Sequence, residues 1–327
     1  MTNRPPRERG LAIYRTMRRI RDFETLALDA HQAGELPGFL HVSLGQEAVA
    51  AVVCAHLERS DRLTSTHRGH GHAVAKGADV GAMMAELYGR ASGFCHGKGG
   101  SMHIADFSVG MLGANGVVAG GIGIACGAAQ GLEILGVGGI VACFFGDGAV
   151  NRGPFLEGLN WAALYRLPVL FVCEDNTFSA FTYSSTTTAG PGPLARAESL
   201  GVPGISMHDH DVFALDRELE TLVGRIRQGL GPQFLHARTY RFAGHTSADP
   251  ATYRSAAELV AAKLRDPLAT TRAELLANGC GAAELDAIDA HSLAEMTLAR
   301  DRARVAAWPE AADAFADVQD DGAPQWQ

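Results

Sequence analysis

The chain has 327 residues, of which 47% are hydrophobic and 20% are charged, and its formal net charge at pH 7 is −8. This composition is typical of a globular protein and excludes an intrinsically disordered chain. The acidic balance, with a pI of about 5.9, also argues against a nucleic-acid-binding protein, which normally presents a basic surface.

The N-terminal part of the chain is predicted to be helical. Apolar residues recur every three positions within residues 8–33, and Gly34 is expected to end this helix. A loop then leads into a second helix, Gln46 to Leu57, and a third, short helix is predicted around Met83 to Leu87.

Residues 89–123 are unusually rich in glycine. Such crowding is typical of loops, or of backbone that packs closely against a ligand. The segment that follows, Ile124 to Leu135, contains many small and apolar residues and is predicted to be a buried helix.

The clearest pattern in the chain is a βαβ unit. Ile140 to Phe145 is a continuous apolar run, as expected of a central parallel strand. Pro154 to Tyr165 is predicted to be a helix with proline near its first turn. Val169 to Cys173 is a second buried strand. Because a helix connects them, the two strands should be parallel. Such crossovers are right-handed in nearly all proteins.

The remaining elements complete an α/β fold. Gly204 to Met207 and Phe234 to Arg238 are candidate strands, Val212 to Leu230 is a helix between them, and the chain is helical from Ser255 onward. No linker rich in proline, serine or charge divides the chain. We therefore predict one domain, residues 1–327, with a central parallel sheet flanked by helices, an N-terminal helical extension (1–34) and a C-terminal helical arm (255–327).

Cysteine usage and hydropathy indicate the compartment. Six cysteines occur, and no two have the two-residue spacing of a zinc knuckle or a redox pair. We interpret them as free thiols, mostly buried, in a reducing cytosol. No signal peptide is apparent, and no apolar run reaches the ~18 residues of a membrane span. We therefore expect a cytoplasmic protein.

Polar side chains follow both strands of the βαβ unit. Asp147 follows the first strand and Asn176 follows the second, and ligands of open parallel sheets bind beyond the carboxyl ends of the strands. Carboxylate and amide oxygens suit Mg²⁺, which takes few protein ligands beside phosphates. Gly146 and Gly148 remove side-chain bulk, and the next helix start offers N–H groups to anionic oxygens.

The spacing of these residues resembles that of the thiamine-diphosphate enzymes. Their motif is Gly-Asp-Gly, about 26 residues, and then an Asn pair. In this chain 26 residues separate Gly148 from Asp175, and Asp175 stands where the first Asn is usual. The resemblance implies that Asp147, Asn176 and the backbone carbonyl of Phe178 are metal ligands, and that Asp175 could add negative charge near them.

Further motifs are Pro37 to His41, Thr64 to Lys76, Gly97 to His103, Gly113 to Val118 and Gly244 to Thr246. Together they resemble the alpha subunit of the E1 component of 2-oxoacid dehydrogenase complexes, and within that group the acetoin dehydrogenase alpha subunit most closely. Pyruvate-type members usually carry Tyr-Arg where this chain has His67-Arg68. The resemblance covers roughly residues 10–310 and implies the thiamine-diphosphate-binding fold.

The resemblance also implies a role for each matching residue. Arg68 would bind the diphosphate, His67 would line the cofactor, and Gly148 and Ala149 would cradle the diphosphate. Gly116 and Val118 would offer backbone contacts to the aminopyrimidine ring. His41 and His245 would flank the reacting carbon and move protons, and His245 would also contact the cofactor.

Two partners and a choice of substrates follow from the same resemblance. The glutamate that activates the cofactor lies on a separate pyrimidine-binding domain, for which this chain has no room. We therefore expect a heterotetramer of two alpha and two beta chains, with Gly120 to Gly131 and the C-terminal helices as candidate contact surfaces. A lipoyl-bearing E2 acyltransferase would receive the acyl group. Acetoin is the first candidate substrate, and pyruvate or a branched-chain 2-oxoacid is the alternative. A non-catalytic paralogue that kept the fold is a third hypothesis.

Two histidine-rich segments have alternative interpretations. His67, His70 and His72 could form a zinc site, although His70 suits a structural hydrogen bond better. The segment Met207 to Asp211 could be a second metal site. We interpret it instead as a polar loop in which Asp211 caps the helix that begins at Val212. Thr246 occupies a position that is phosphorylated in mitochondrial relatives, and no regulatory role is inferred from it.

Overall fold

A six-stranded parallel sheet forms the centre of the computed structural model, which describes residues 7–316. In chain order the strands are β1 (Arg62–Thr64), β2 (Met111–Gly113), β3 (Val141–Gly146), β4 (Val169–Asp175), β5 (Phe178–Ser179), β6 (Thr182–Tyr183), β7 (Gly204–His208) and β8 (Gln233–Arg238). The sheet order is β2-β1-β3-β4-β8-β7, and β5 and β6 form a separate antiparallel pair. The predicted α/β class is thus confirmed.

Helices cover both faces of the sheet. They are α1 (Arg7–Gln32), α2 (Glu47–Ala55), α3 (His70–Lys76), α4 (Val80–Leu87), α5 (Gly120–Leu135), α6 (Gly153–Tyr165), α7 (Pro193–Ser199), α8 (Val212–Arg227), α9 (Ala256–Lys263), α10 (Pro267–Ala277) and α11 (Ala282–Val305). One hydrophobic core joins the sheet to α1–α4, α8, α10 and α11, and a second joins it to α5–α7.

Successive side chains of the central strands point alternately into one core and then the other. Phe144 and Val172 point into the core that contains α1, whereas Phe145 and Phe171 point into the core that contains α5. Because both faces are buried, β3 needs apolar residues from Val141 to Phe145 and β4 from Val169 to Cys173, and this is why they appear in the sequence as continuous apolar runs. The prediction of a βαβ unit, β3–α6–β4, is confirmed.

The structure also differs from the sequence prediction in detail. The strands β1 and β2 were not predicted, because each has only three residues and carries no periodic signal. The long C-terminal helical region consists of three helices, α9, α10 and α11, with Pro267 at the start of α10. The division into one domain with two helical extensions stays a prediction, and residues 1–6 and 317–327 lie outside the described residues.

The terminal helices belong to the main core. Met17, Ile20 and Phe23 of α1 are fully buried, and so is Met296 of α11. All six cysteines are free, and all except the partly exposed Cys95 are buried, as predicted. Within residues 7–316 no helix is long and apolar enough to cross a membrane. The cytoplasmic location stays a prediction.

Candidate active site

A cavity of about 270 Å³ opens at the carboxyl ends of β3 and β4. Its lining includes every residue that the sequence predicted to be catalytic, cofactor-binding or metal-binding. These residues are His41, His67, Arg68, Gly116, Val118, Asp147, Gly148, Ala149, Asn176, Phe178 and His245. They come from six separate segments of the chain, so the fold assembles one site from them. The role of each residue stays a prediction.

The two strand ends place Asp147 beside Asn176. Gly146 at the end of β3 pairs with Glu174 of β4, so both side chains follow neighbouring strand ends, and both are buried. Oδ2 of Asp147 has no hydrogen-bond partner among residues 7–316. Burial, and then the charge of Asp175, raise the pKa of Asp147 to about 6. A buried carboxylate oxygen without a partner is costly, and a bound cation would remove that cost.

Hydrogen bonds fix the amide of Asn176. Its Nδ2 donates to Oε1 of Gln46 at 3.1 Å, and its Oδ1 accepts from the backbone N–H of Phe178 at 3.2 Å. The ring of Phe178 packs against Tyr183, with 4.3 Å between ring centroids. The short β5–β6 pair therefore positions the Phe178 backbone next to the strand ends. Gln46, which also lines the cavity, was not predicted to be a site residue.

Asp175 lies outside this cavity and lines a neighbouring one of about 730 Å³, which also includes Asp147. Its Oδ2 accepts a hydrogen bond from Nε2 of His236 at 2.7 Å. Although burial opposes ionisation, this bond to His236 lowers the pKa of Asp175. The carboxylate therefore stays charged and adds negative charge near Asp147, as the sequence suggested.

Two buried guanidinium groups face the cavity. Arg68 donates to the carbonyl oxygens of Val42 at 2.7 Å and His245 at 2.9 Å, and Arg241 donates to the carbonyl of Ala243 at 3.1 Å. Burial lowers the pKa of both, that of Arg68 to about 9. Neither forms a salt bridge with a carboxylate in the part of the chain that the structure describes. Two desolvated cations without a salt bridge among the described residues are suited to binding an anion.

Arg241 is a second cavity residue that sequence reasoning missed. It is 2% exposed and lies four residues before His245. Its proximity to the predicted Gly244-His245-Thr246 motif was the available signal. An arginine beside a motif is common, however, and only the tertiary structure shows that it lines the cavity together with Arg68.

A glycine is required next to Asp147. Asp147–Asn151 forms a 3-10 turn before α6, and Gly148 and Ala149 line the cavity from it. A Cβ atom at Gly148 would lie 2.5 Å from Oγ of Ser179 and 3.1 Å from its Cβ. The turn can therefore approach β5 closely only because position 148 has no side chain.

Three imidazole rings meet on one side of the cavity. Ring centroids lie 4.8 Å apart for His41 and His67, 5.0 Å for His41 and His245, and 5.6 Å for His67 and His245. Nδ1 of His41 donates to the carbonyl of His245 at 2.9 Å, since a carbonyl oxygen can only accept. Burial, helped by the charge of Arg68, lowers the pKa of His41 and His245 to about 4 and that of His67 to about 2. All three rings are neutral at pH 7.

The predicted alternative of a zinc site from His67, His70 and His72 is not formed. Nε2 of His70 lies 2.9 Å from Oγ of Ser101, and Nδ1 of His72 lies 2.7 Å from Oγ of Ser65. On the short helix α3, which begins at His70, successive side chains point in different directions. His70 is thus a buried hydrogen-bonding residue, as the sequence favoured.

The segment Met207 to Asp211 also follows its favoured interpretation. Asp211 is the N-cap of α8 and its side chain accepts from the backbone N–H of Ala214 at 3.1 Å. Asp209 is buried, and desolvation raises its pKa to about 7. Among the described residues, this segment is not part of any convergent group of three metal-ligating side chains.

The cavity is open on the side of Gly116 to Val118. Val117 and Val118 are both exposed although they line the cavity, and Gly116 is exposed beside them. This loop therefore forms an exposed apolar edge at the mouth of the cavity.

Comparisons with known proteins agree with this arrangement. The chain matches the dehydrogenase E1 component family over residues 15–311. It is 46% identical over 253 residues to the alpha subunit of an acetoin:2,6-dichlorophenolindophenol oxidoreductase from Bacillus subtilis, covering 77% of this chain and 76% of that one. The equivalent alpha subunit from Cupriavidus necator is 42% identical over 318 residues, covering 95% and 94%.

A pyruvate dehydrogenase E1 component subunit alpha from Porphyra purpurea is 40% identical over 275 residues, covering 82% of this chain and 80% of that protein. The fold and the site define an α/β enzyme subunit with a cavity, lined by buried charged residues, at the carboxyl ends of a parallel sheet. The chain belongs to the dehydrogenase E1 component family, as an alpha subunit of its thiamine-diphosphate-dependent oxidoreductases.

Proposed function

We propose that this chain is the alpha subunit of a thiamine-diphosphate- and Mg²⁺-dependent E1 dehydrogenase that cleaves acetoin and passes the acyl group to a lipoyl carrier. The observation that carries the proposal is the presence, in one cavity, of a buried carboxylate oxygen without a hydrogen-bond partner and two buried guanidiniums without a salt bridge among the described residues. That arrangement fits a metal ion and the diphosphate that it binds. The names of the two acetoin oxidoreductase relatives, which are 46% and 42% identical, favour acetoin over pyruvate.

The residues that would hold the cofactor divide by chemistry. Mg²⁺ would take Oδ of Asp147, Oδ1 of Asn176 and the backbone carbonyl of Phe178. The diphosphate would take Arg68 and Arg241. His67, Gly148 and Ala149 would lie against the diphosphate, and the backbone of Gly116 and Val118 against the aminopyrimidine. When bound, thiamine diphosphate supplies a carbanion that attacks the substrate carbonyl and holds electrons after C–C cleavage.

His41 is suited to proton transfer beside that chemistry. Its Nδ1–H is engaged with the carbonyl of His245, so the neutral ring has a free lone pair on Nε2. The low pKa keeps that lone pair available at neutral pH. His41 can therefore accept a proton from a substrate hydroxyl and return it later, while the fixed Nδ1 bond holds the tautomer.

The partner subunit would complete the site at the open mouth. Exposed apolar side chains also occur on α5 and α6, where Ile124, Ile134, Leu156 and Leu164 are all exposed. Apolar area of this kind is typical of a protein–protein interface. We propose that it binds the beta chain in a heterotetramer of two alpha and two beta chains, and that a lipoyl-bearing E2 acyltransferase receives the acyl group.

A substrate comparison tests the proposed activity. We expect the chain, reconstituted with its beta partner, Mg²⁺ and thiamine diphosphate, to reduce 2,6-dichlorophenolindophenol with acetoin at a kcat/KM at least about tenfold above that with pyruvate. A branched-chain 2-oxoacid should be slower still. Faster turnover of pyruvate would replace acetoin with the alternative substrate. No turnover of any of the three, together with failure to bind the cofactor, would favour the non-catalytic paralogue.

Replacing His41 with Ala should separate binding from chemistry. We expect cofactor affinity to change by less than about threefold, and acetoin turnover to fall about 100-fold, as is typical for loss of a proton-transfer group. Calorimetry measures the first and dye reduction the second. His41→Asn, which can keep a hydrogen bond to the carbonyl of His245 but cannot exchange a proton, should be equally slow. Loss of cofactor binding in both variants would instead make His41 structural.

A further inference from the structure

The three histidines of the cavity share a property that the proposed function does not use. His41, His67 and His245, hereafter the histidine trio, each offer one ring nitrogen, and these three nitrogens lie within 4.8 Å of one another. Within residues 7–316, the histidine trio is the group of three side chains whose potential metal-ligand atoms lie close together. The trio is separate from Asp147 and Asn176, which supply oxygen atoms to the Mg²⁺ end of the same cavity.

One member of the trio lacks a hydrogen-bond partner. Nε2 of His67 is inaccessible to solvent and has no partner among the described residues. A buried polar nitrogen without a partner loses the hydrogen bonds that water would make, so its presence indicates that something else satisfies it. Its neighbours are two more neutral imidazoles and the Arg68 guanidinium.

We propose that the histidine trio binds a borderline-soft divalent transition-metal ion, with Zn²⁺ as the reference ion, when the cofactor is absent. Neutral imidazoles are the nitrogen ligands that Zn²⁺ prefers, and three of them with a water molecule complete a tetrahedral site. Zn–N distances of about 2.0–2.1 Å place ligand nitrogens about 3.3 Å apart. Binding therefore requires the three side chains to rotate so that their nitrogens approach by up to about 1.5 Å. Mg²⁺ prefers oxygen ligands and would not compete here.

The surrounding hydrogen bonds define how the trio would bind. The bond from Nδ1 of His41 to the carbonyl of His245 leaves Nε2 of His41 as the ligand atom and fixes the tautomer. Nη2 of Arg68 donates to Nδ1 of His245 at 3.1 Å and to its carbonyl at 2.9 Å. If Nε2 of His245 binds the ion, Nδ1 of the same ring carries the proton and can no longer accept. Arg68 then loses its hydrogen bond to Nδ1 and keeps its hydrogen bond to the carbonyl of His245. The charge of Arg68 opposes the ion, so binding should be weaker and more reversible than at structural zinc sites.

Competition with the cofactor follows, and this step rests on the proposed function. The trio lines the same cavity as the proposed diphosphate ligands, and His67 and His245 are themselves among the proposed cofactor contacts. An ion held by all three rings occupies the space of the cofactor and its substrate. Zinc should therefore act as a reversible inhibitor that raises the apparent Kd for thiamine diphosphate, and a chelator should restore binding.

The test uses untagged full-length chain in complex with its partner subunit and free of cofactor. Calorimetry with Zn²⁺ should show a site of one ion per alpha chain. Co²⁺ in its place should give the intense visible absorption of a tetrahedral nitrogen site. We expect His67→Phe to weaken Zn²⁺ binding at this site at least about 30-fold and to abolish the Co²⁺ spectrum. His41→Phe serves as the second variant, and circular dichroism verifies the fold of both.

Two controls separate this site from other histidines. His103 is exposed, and His103→Phe should leave both the Zn²⁺ affinity and the Co²⁺ absorption spectrum unchanged. His208 and His210 lie with ring centroids 5.1 Å apart and offer two ligands at most, so their double Ala variant should remove only weaker binding. Equal Zn²⁺ affinity in wild type and both trio variants, or no tetrahedral Co²⁺ spectrum in wild type, overturns the proposal.

Thiamine diphosphate titrations distinguish this proposal from the proposed function. If zinc binds as expected and cofactor affinity falls in its presence, both are supported. If zinc binds but thiamine diphosphate does not bind even in the absence of zinc, the metal site stands and the proposed function fails. If both ligands bind at once without effect on each other, the claim of competition is overturned.

Discussion

Asp147→Asn is expected to abolish Mg²⁺-dependent binding of thiamine diphosphate by the assembled enzyme, weakening it at least about 100-fold, or about 2.7 kcal/mol. The substitution preserves the shape of the side chain. It removes the one carboxylate among the proposed Mg²⁺ ligands, and it can place an N–H donor where the unpartnered oxygen stands. Calorimetric titration of the cofactor, with and without Mg²⁺, measures the change.

The same substitution should not weaken the fold. A buried carboxylate with a raised pKa is a cost to the folded chain, so the amide should leave the free energy of unfolding unchanged or slightly higher. Thermal unfolding without cofactor checks this. Asp175→Asn is the matched control. Asp147 and Asp175 each follow one residue of the Gly146–Glu174 pair on neighbouring strands, but Asp175 does not line the cofactor cavity. It should change cofactor affinity by no more than a few fold.

Wild-type affinity in Asp147→Asn would refute the metal assignment. Equal losses of cofactor affinity in Asp147→Asn and Asp175→Asn would indicate that the total negative charge of the region determines binding. A direct bond between Asp147 and the ion would then not be needed. The predicted difference between two carboxylates so close in space comes from their partners. Asp175 is satisfied by His236, and Asp147 has an oxygen that no described side chain satisfies.

The second large effect concerns the partner subunit. The isolated chain should show no dye reduction with acetoin, because the open mouth at Val117 and Val118 leaves the proposed reacting carbon exposed to water and without the partner's residues. Adding the beta chain should restore turnover. Full activity from pure alpha chain would refute the split site.

A surface variant tests where the partner binds. Ile124 of α5 is exposed, and a Cβ atom at neighbouring Gly123 or Gly127 would meet nothing within 4 Å. Ile124→Glu keeps a good helix former in α5 and should leave the folding of the isolated chain intact. A buried charge in the interface should abolish co-purification with the beta chain.

The matched control for this variant is Leu230→Glu. Leu230 is similarly exposed but follows α8 and belongs to neither α5 nor α6, although the adjacent Gly229 accepts a hydrogen bond from Arg166 at the end of α6. We expect this variant to assemble and turn over acetoin normally. Normal assembly of Ile124→Glu would contradict the proposed interface, whereas failure of both variants would show a wider contact surface than α5 and α6 provide.

Much of the fold could be predicted because the chemistry of its elements is local. The strands β3 and β4 are buried on both faces, so their positions are apolar from Val141 to Phe145 and from Val169 to Cys173, and the pattern is visible in the sequence. The N-cap Asp211 was predictable because a cap acts within three residues of itself. By contrast, β1 and β2 have three residues each and are held by neighbouring strands distant in sequence.

The sequence by itself determined which residues reach the carboxyl ends of β3 and β4, and therefore that Asp147 and Asn176 lie together. Only the tertiary structure decided that Arg241 joins Arg68, and that His67 meets His41 and His245 instead of His70 and His72. The reason is physical. Residues at adjacent strand ends are placed by the regular spacing of a parallel sheet, whereas residues on loops are placed by how those loops cross, which depends on the packing of the whole chain.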